Sequence, residues 1–268
     1  MHPAISINTL SLTPDALGRQ IDFVARLGAS AISIDLMQID EFGIERTVST
    51  LGDAGLCLAI LTHRAFGFAT PEEARSARER LDCTIEIAAE LNAGAVLMTT
   101  GGRGALGWEE AADRFADAIA PCRERAQTAN VVLGIEPTSH LYADASIAHR
   151  LADTTEVALR AGIAVIPDLF ACWSDADLDA AIAEAGPLIA AVQVADYVYG
   201  DRALPCRAVP GDGVVPFARI VPALASTGFA GPYDLEIIGP RLQAEGEEQG
   251  LRRAARLIEQ LLNEGNPE

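Results

Sequence analysis

The chain has no lysine; all 20 of its basic side chains are arginine. Mechanisms that need a lysine Schiff base are therefore excluded, including lysine-dependent aldolase and pyridoxal chemistry. Lysine is also unavailable as a counter-ion for a buried acid. Cysteine is sparse and odd in number. Cys57, Cys83, Cys122, Cys172 and Cys206 show no C-x-x-C spacing, which argues against a disulfide framework and against a cysteine zinc site. Positive charge is short as well: 20 basic against 38 acidic residues leave a net charge of −18. Nucleic-acid binding needs clustered basic residues, so no nucleic-acid partner is expected. No apolar run approaches the ~20 residues that span a bilayer, so no membrane role is expected. The opening "MHPAISINTLSL" lacks a basic n-region and an apolar signal core, which makes the cytoplasm the expected location.

What is present is a core-forming composition, 50% hydrophobic over 268 residues. Eight short apolar runs read as strands: 4–12, 31–36, 57–63, 93–100, 131–137, 163–170, 190–196 and 233–238. None alternates cleanly, as expected when both faces of a parallel sheet are covered. Helix signals punctuate the intervals. "TPDALGRQIDFVARLG" and "TPEEARSARERLDCTIEIAAELNAG" open on Thr-Pro, "SDADLDAAIAEAG" opens on Ser174 as an expected N-cap, and "GEEQGLRRAARLIEQLL" reads as the last helix. Eight strand–helix units with no Pro/Ser-rich linker predict a single-domain α/β protein over 1–268, a (β/α)₈ TIM barrel.

In such a barrel the C-terminal strand ends form the mouth where side chains converge. Residues 131–140, "VVLGIEPTSH", place Glu136 at the tip of an apolar strand. An unpaired buried carboxylate is costly, so a partner is required. Strand six ends in Asp168, strand seven carries Gln193 and strand eight carries Glu236. Taken singly, each acid could cap a helix or pair with an arginine. Taken together, three acids and an amide on consecutive strands point to one cation. Hard oxygen donors favour Mn²⁺ or Mg²⁺, with Co²⁺ acceptable and Zn²⁺ less favoured because no histidine or thiolate joins the set.

These residues resemble the xylose-isomerase-like TIM barrel superfamily of sugar phosphate isomerases and epimerases. The resemblance covers nearly the whole chain and is most specific in "IEP", "PD", "VQVAD…CRAVPGDG" and "LEIIG". The hydroxypyruvate isomerase branch has a similar strand-seven glutamine followed by Arg-x-x-Pro-Gly-x-Gly, here "RAVPGDG" from Arg207 to Gly213. It is the resemblance that implies Glu136, Asp168, Gln193 and Glu236 as metal ligands and Arg207 as a contact to a substrate oxygen. It further implies a small sugar-like substrate, proton transfer through an enediolate, and Glu136 and Glu236 as the catalytic acid–base pair. A homo-oligomer is compatible with it. Two departures bear on the substrate. The family often has a histidine three residues after the strand-six aspartate, where this chain has Ala171 among the apolar Phe170, Cys172 and Trp173. The loop "DYVYGDRALPCR" is longer than in the hydroxypyruvate isomerase branch. β-Elimination, catalysed by a lyase or dehydratase, is the alternative these departures raise.

Three further residues near strand ends are candidates for substrate contact: His63, His140 and Trp108. Each has a plainer reading as a loop hydrogen-bonder or helix-start residue. Phe66 and Phe68 around Gly67 suggest a lid tip, with local packing as the alternative. The G-x-G-x-x-G match "GRGALG" (102–107) lacks the acidic residue of a dinucleotide fingerprint and reads as a mouth loop.

Overall fold

The computed structural model describes residues 1–264. The sequence-level domain therefore extends four residues, 265–268, outside the described residues. Its strands are β1 (Ile5–Asn8), β2 (Ala31–Asp35), β3 (Cys57–Thr62), β4 (Ala95–Met98), β5 (Leu133–Ile135), β6 (Ala164–Val165), β7 (Val192–Val194), β8 (Asp196–Tyr197), β9 (Arg207–Ala208) and β10 (Tyr233–Leu235). Each of the eight apolar runs contains one barrel strand. β8 and β9 are an addition, an antiparallel pair outside the barrel sheet.

The eight barrel strands are parallel and follow chain order from β1 to β7, then β10, which pairs back to β1. The barrel closes between β6 and β7. Only isolated bridges join this seam, Val165 to Ile189 and Asp168 to Gln193. Two backbone bonds accompany them: Ala190 N–H donates to Val165 at 3.0 Å and Gln193 N–H to Pro167 at 2.9 Å. Strand interiors are fully buried, for example Ile5, Ile7, Ile32, Ile34, Ile60 and Ile135 at 0% exposure. This accounts for the missing alternation, since helices cover the outer faces and the lumen fills the inner ones.

The helices begin where their caps allow. Helix Pro71–Glu90 starts on a full capping box, with Thr70 and Glu73 satisfying each other's backbone N–H. The first helix starts at Leu17, four residues after the Thr-Pro signal. Helix Leu178–Ala185 is preceded by Asp177, so Ser174 is not its cap. The reason lies next door: Asp175 turns away to accept from the Leu151 backbone at 2.9 Å, which keeps 174–177 in a turn. The last helix spans Glu247–Glu264, as expected. Among the described residues no helix is long and apolar enough to cross a membrane.

Candidate active site

A cavity of about 420 Å³ opens at the C-terminal strand ends, and Glu136, Asp168 and Arg207 line it. A larger depression of about 570 Å³ sits at the opposite ends of β5 to β7, and no carboxylate lines it. The mouth is therefore the site with chemical groups.

Asp168 follows β6 and caps the short helix Leu169–Cys172 by accepting from Phe170 N–H at 3.0 Å. It also accepts two bonds from Arg207: Nη1 to Oδ1 at 3.0 Å and Nη2 to Oδ2 at 2.7 Å. Arg207 Nη1 lies 3.5 Å from Glu236 Oε2 as well. Gln193 donates its amide to the same Glu236 oxygen. The Gln193 Oε1 atom is buried with no partner. Among the described residues no hydrogen bond is directed to the Glu136 carboxylate. The sequence expectation put Arg207 on a substrate oxygen; here it pairs with Asp168. The cause is electrostatic. It is the positive group placed among three carboxylates, and a planar guanidinium fits a carboxylate through both oxygens.

The local field is visible in the acids. Burial, then the charges of Glu236 and Asp168, raise the Glu136 carboxyl well above its ordinary range, with Arg207 opposing. Burial pushes Glu236 up to about 7, with Arg207 opposing and Asp168 and Asp234 adding to the rise. Two carboxyls raised in this way suit general acid–base work.

The fit of a divalent cation rests on these same observations. When all are ionised, Glu136, Asp168 and Glu236 outweigh the one guanidinium of Arg207. The Gln193 oxygen is an unsatisfied buried acceptor. All the donors are oxygens, the set a hard cation takes. Geometry adds a condition. Among the described residues no three His, Cys, Asp or Glu side chains stand in metal-holding array, and Arg207 occupies both Asp168 oxygens. In kind and charge the residues fit such an ion.

His63, His140 and Trp108 are not brought into this cavity. The His63 Nδ1 atom bonds Thr84 on helix Pro71–Glu90 at 2.8 Å, so the ring lies against the helix layer, with Nε2 buried and unpartnered. His140 sits in an exposed 3₁₀ turn, His140–Tyr142, whose neighbours Ser139 and Tyr142 reach the cavity instead. The Trp108 indole donates to the Ile147 carbonyl at 3.0 Å, and Arg160 lies over its ring. Phe66 and Phe68 are buried edge-on against Phe115, which makes them core packing and not a lid.

His63 carries a pH signature. Burial, then Arg80 and Arg64, lower its pKa to about 4. Between the unfolded value of about 6.5 and that folded value, the unfolded chain takes up a proton the native ring refuses. Stability is therefore lost as pH falls from about 6.5 toward 4, by at most ~3 kcal/mol. Urea midpoints of His63→Gln are expected to be flatter over that range than those of the parent. An unchanged slope would remove His63 as the source.

Two buried acids were missed by reading strand ends alone. Asp196 is 1% exposed and accepts from the backbone N–H groups of Tyr197, Gly211, Gly213 and Val215 at 2.8 to 3.0 Å. It thus holds the loop that follows Arg207. Gly213 permits the approach, because a Cβ there would lie 2.2 Å from the Tyr197 carbonyl oxygen. Asp234 is fully buried in the lumen and accepts from Asn8 Nδ2 at 2.8 Å. The run "VQVAD" leading into "PGDG" held the signal for Asp196, since an acid before a glycine-rich loop can gather its free N–H groups.

Residues 21–261 match the xylose isomerase-like TIM barrel family model. The chain belongs to the xylose isomerase-like TIM barrel family. No curated protein matches it. Among solved structures of this family's fold, protein SMc04130 from Sinorhizobium meliloti 1021 is 24% identical, with a TM-score of 0.86, covering 97% of this chain and 98% of that one. D-psicose 3-epimerase with D-tagatose from Clostridium cellulolyticum H10 is 14% identical, with a TM-score of 0.81 and coverage of 97% and 99%. The IOLI protein with a bound zinc atom is 14% identical, with a TM-score of 0.85 and coverage of 99% and 100%. At these identities the likeness establishes fold. The family includes epimerases, isomerases and dehydratases, and the choice among them has to come from the site.

Proposed function

We propose that the protein is a divalent-metal-dependent isomerase or epimerase of a small hydroxy-carbonyl substrate, ketose-like or polyol-derived. The observation that supports this reading most directly is the excess of buried carboxylates at the mouth beside the unpartnered Gln193 oxygen. Glu136, Asp168, Gln193 and Glu236 would hold Mn²⁺ or Mg²⁺. Such an ion supplies Lewis-acid polarisation of a carbonyl when bound. Glu136 follows β5 and Glu236 follows β10, flanking Asp168 and Gln193. From there one carboxylate removes a carbon-bound proton and the other returns one to the neighbouring position. Arg207, once released from Asp168, stabilises the oxyanion that develops on the substrate. The five cysteines are free thiols, which supports a reducing compartment such as the cytoplasm.

The test is deuterium incorporation from D₂O into a panel of ketoses, read by mass spectrometry. Incorporation is expected with Mn²⁺, lost on chelation and restored by Mn²⁺. Its absence across the panel, with the protein folded and metal-loaded, would overturn the proposal.

Ala171 favours a second reading, a lyase or dehydratase on the same residues. Ala171, Phe170, Leu204 and Pro205 line the cavity and offer a substrate hydroxyl no partner, and a β-hydroxyl not held there leaves as water once one of the two glutamates protonates it. A product lighter by one water selects this reading, and strict mass conservation excludes it.

A further inference from the structure

The 420 Å³ cavity has two chemically different halves. Its floor is polar, with Glu136, Asp168 and Arg207. The rest of the lining is mainly an apolar wall of Phe170, Ala171, Leu204, Pro205, Ile238 and the ring of Tyr142, with hydroxyls added by Thr99, Thr138 and Ser139. Four separate elements supply that wall: the short helix after β6, the 3₁₀ turn after β5, the long loop between β8 and β9 and the segment after β10. Leu204 is 49% exposed and Tyr142 is 45% exposed. Single exposed apolar residues are ordinary, but several lining one cavity mark a binding surface. Phe170 is braced by the Arg207 guanidinium, 4.9 Å from its ring centroid, and by Tyr197 edge-on at 6.1 Å. A cavity of this size, continuous with the charged floor, suits a small molecule and not a segment of another protein.

We infer that the substrate is bipartite: an α-hydroxy-carbonyl head on the charged floor and an apolar, aryl or alkyl, tail against the Phe170–Tyr142–Leu204 wall. The head rests on the function proposed above; the tail is the new element. A free sugar would set hydroxyls against Phe170, Ala171, Leu204, Pro205 and Ile238, which offer no partners, at a desolvation cost for each. An aryl group would bury its faces there with no such cost.

The matched probes are 2-hydroxyacetophenone and hydroxyacetone, which share the α-hydroxyketone and differ in phenyl against methyl. Titration calorimetry with saturating Mn²⁺ is expected to show the aryl ketone binding at least ~10-fold tighter, from the extra apolar area buried. Leu204→Ser and Tyr142→Ser, both at exposed loop positions, are expected to shrink that ratio by at least about threefold. Equal affinity for the two probes, with both binding, overturns the tail and leaves the head standing. If neither binds, the hydroxy-carbonyl reading fails and this inference with it. If the variants change oligomeric state by light scattering but leave the ratio intact, the wall is a contact between copies and the inference is overturned.

Discussion

Glu136→Gln is expected to slow metal-dependent deuterium exchange by about 10³-fold, the middle of the range for a lost general base. The amide keeps the shape and a metal-capable oxygen but cannot accept the proton. The same substitution is expected to raise the melting temperature of the metal-free protein at pH 8, because it deletes a charge disfavoured by burial and by Glu236 and Asp168. The sign follows from proton counting. A carboxyl whose folded pKa lies above its unfolded value of about 4.3 keeps its proton longer in the native state. Native stability therefore declines as pH rises through that interval, and the glutamine variant should decline less. Melting curves in chelator from pH 5 to pH 8, beside exchange rates with Mn²⁺, measure both effects. A variant within about threefold of the parent rate would remove Glu136 from the chemistry.

Asp196→Asn is expected to cost about 3 kcal/mol of stability, enough to lower a urea midpoint by roughly 1 M at the large m-value of a chain this long. The carboxylate accepts four backbone N–H groups while buried. Asparagine keeps one acceptor oxygen and turns an NH₂ toward donors, leaving several of them unsatisfied in a site that excludes water. The loss should also reach the chemistry. β8 and β9 pair Tyr197 with Arg207, and the loop that Asp196 gathers leaves directly from β9. Gly213→Ala should act in the same direction through a clash with the Tyr197 carbonyl. Urea unfolding of both variants checks the prediction. A midpoint within ~0.3 M of the parent for Asp196→Asn would contradict it.

The barrel was legible because its strands are apolar on both faces, a pattern that survives without knowledge of partners. The mouth acids were legible for a related reason: charge at the tip of such a strand is conspicuous. Orientation was not legible. His63 directly follows β3, where mouth residues stand, yet its ring turns to Thr84, and sequence has no signal for which side of a strand end faces the lumen when the strand slips into a loop. The pairing of Arg207 with Asp168 depends on a two-residue ladder that neither propensity nor periodicity announces. The donors of Asp196 were not legible either, since the four lie 1 to 19 residues onward and converge only after the loop has folded.

The seam between β6 and β7 gives the mouth a mechanical meaning. Asp168 and Gln193 face each other across the weakest joint of the barrel wall, where isolated bridges replace a continuous ladder. Any bound group that grips both side chains also clasps that joint. Occupancy and hoop integrity would then be one equilibrium seen from two ends, legible as slower amide exchange at Ala190 and Gln193 in the loaded protein than in the stripped one.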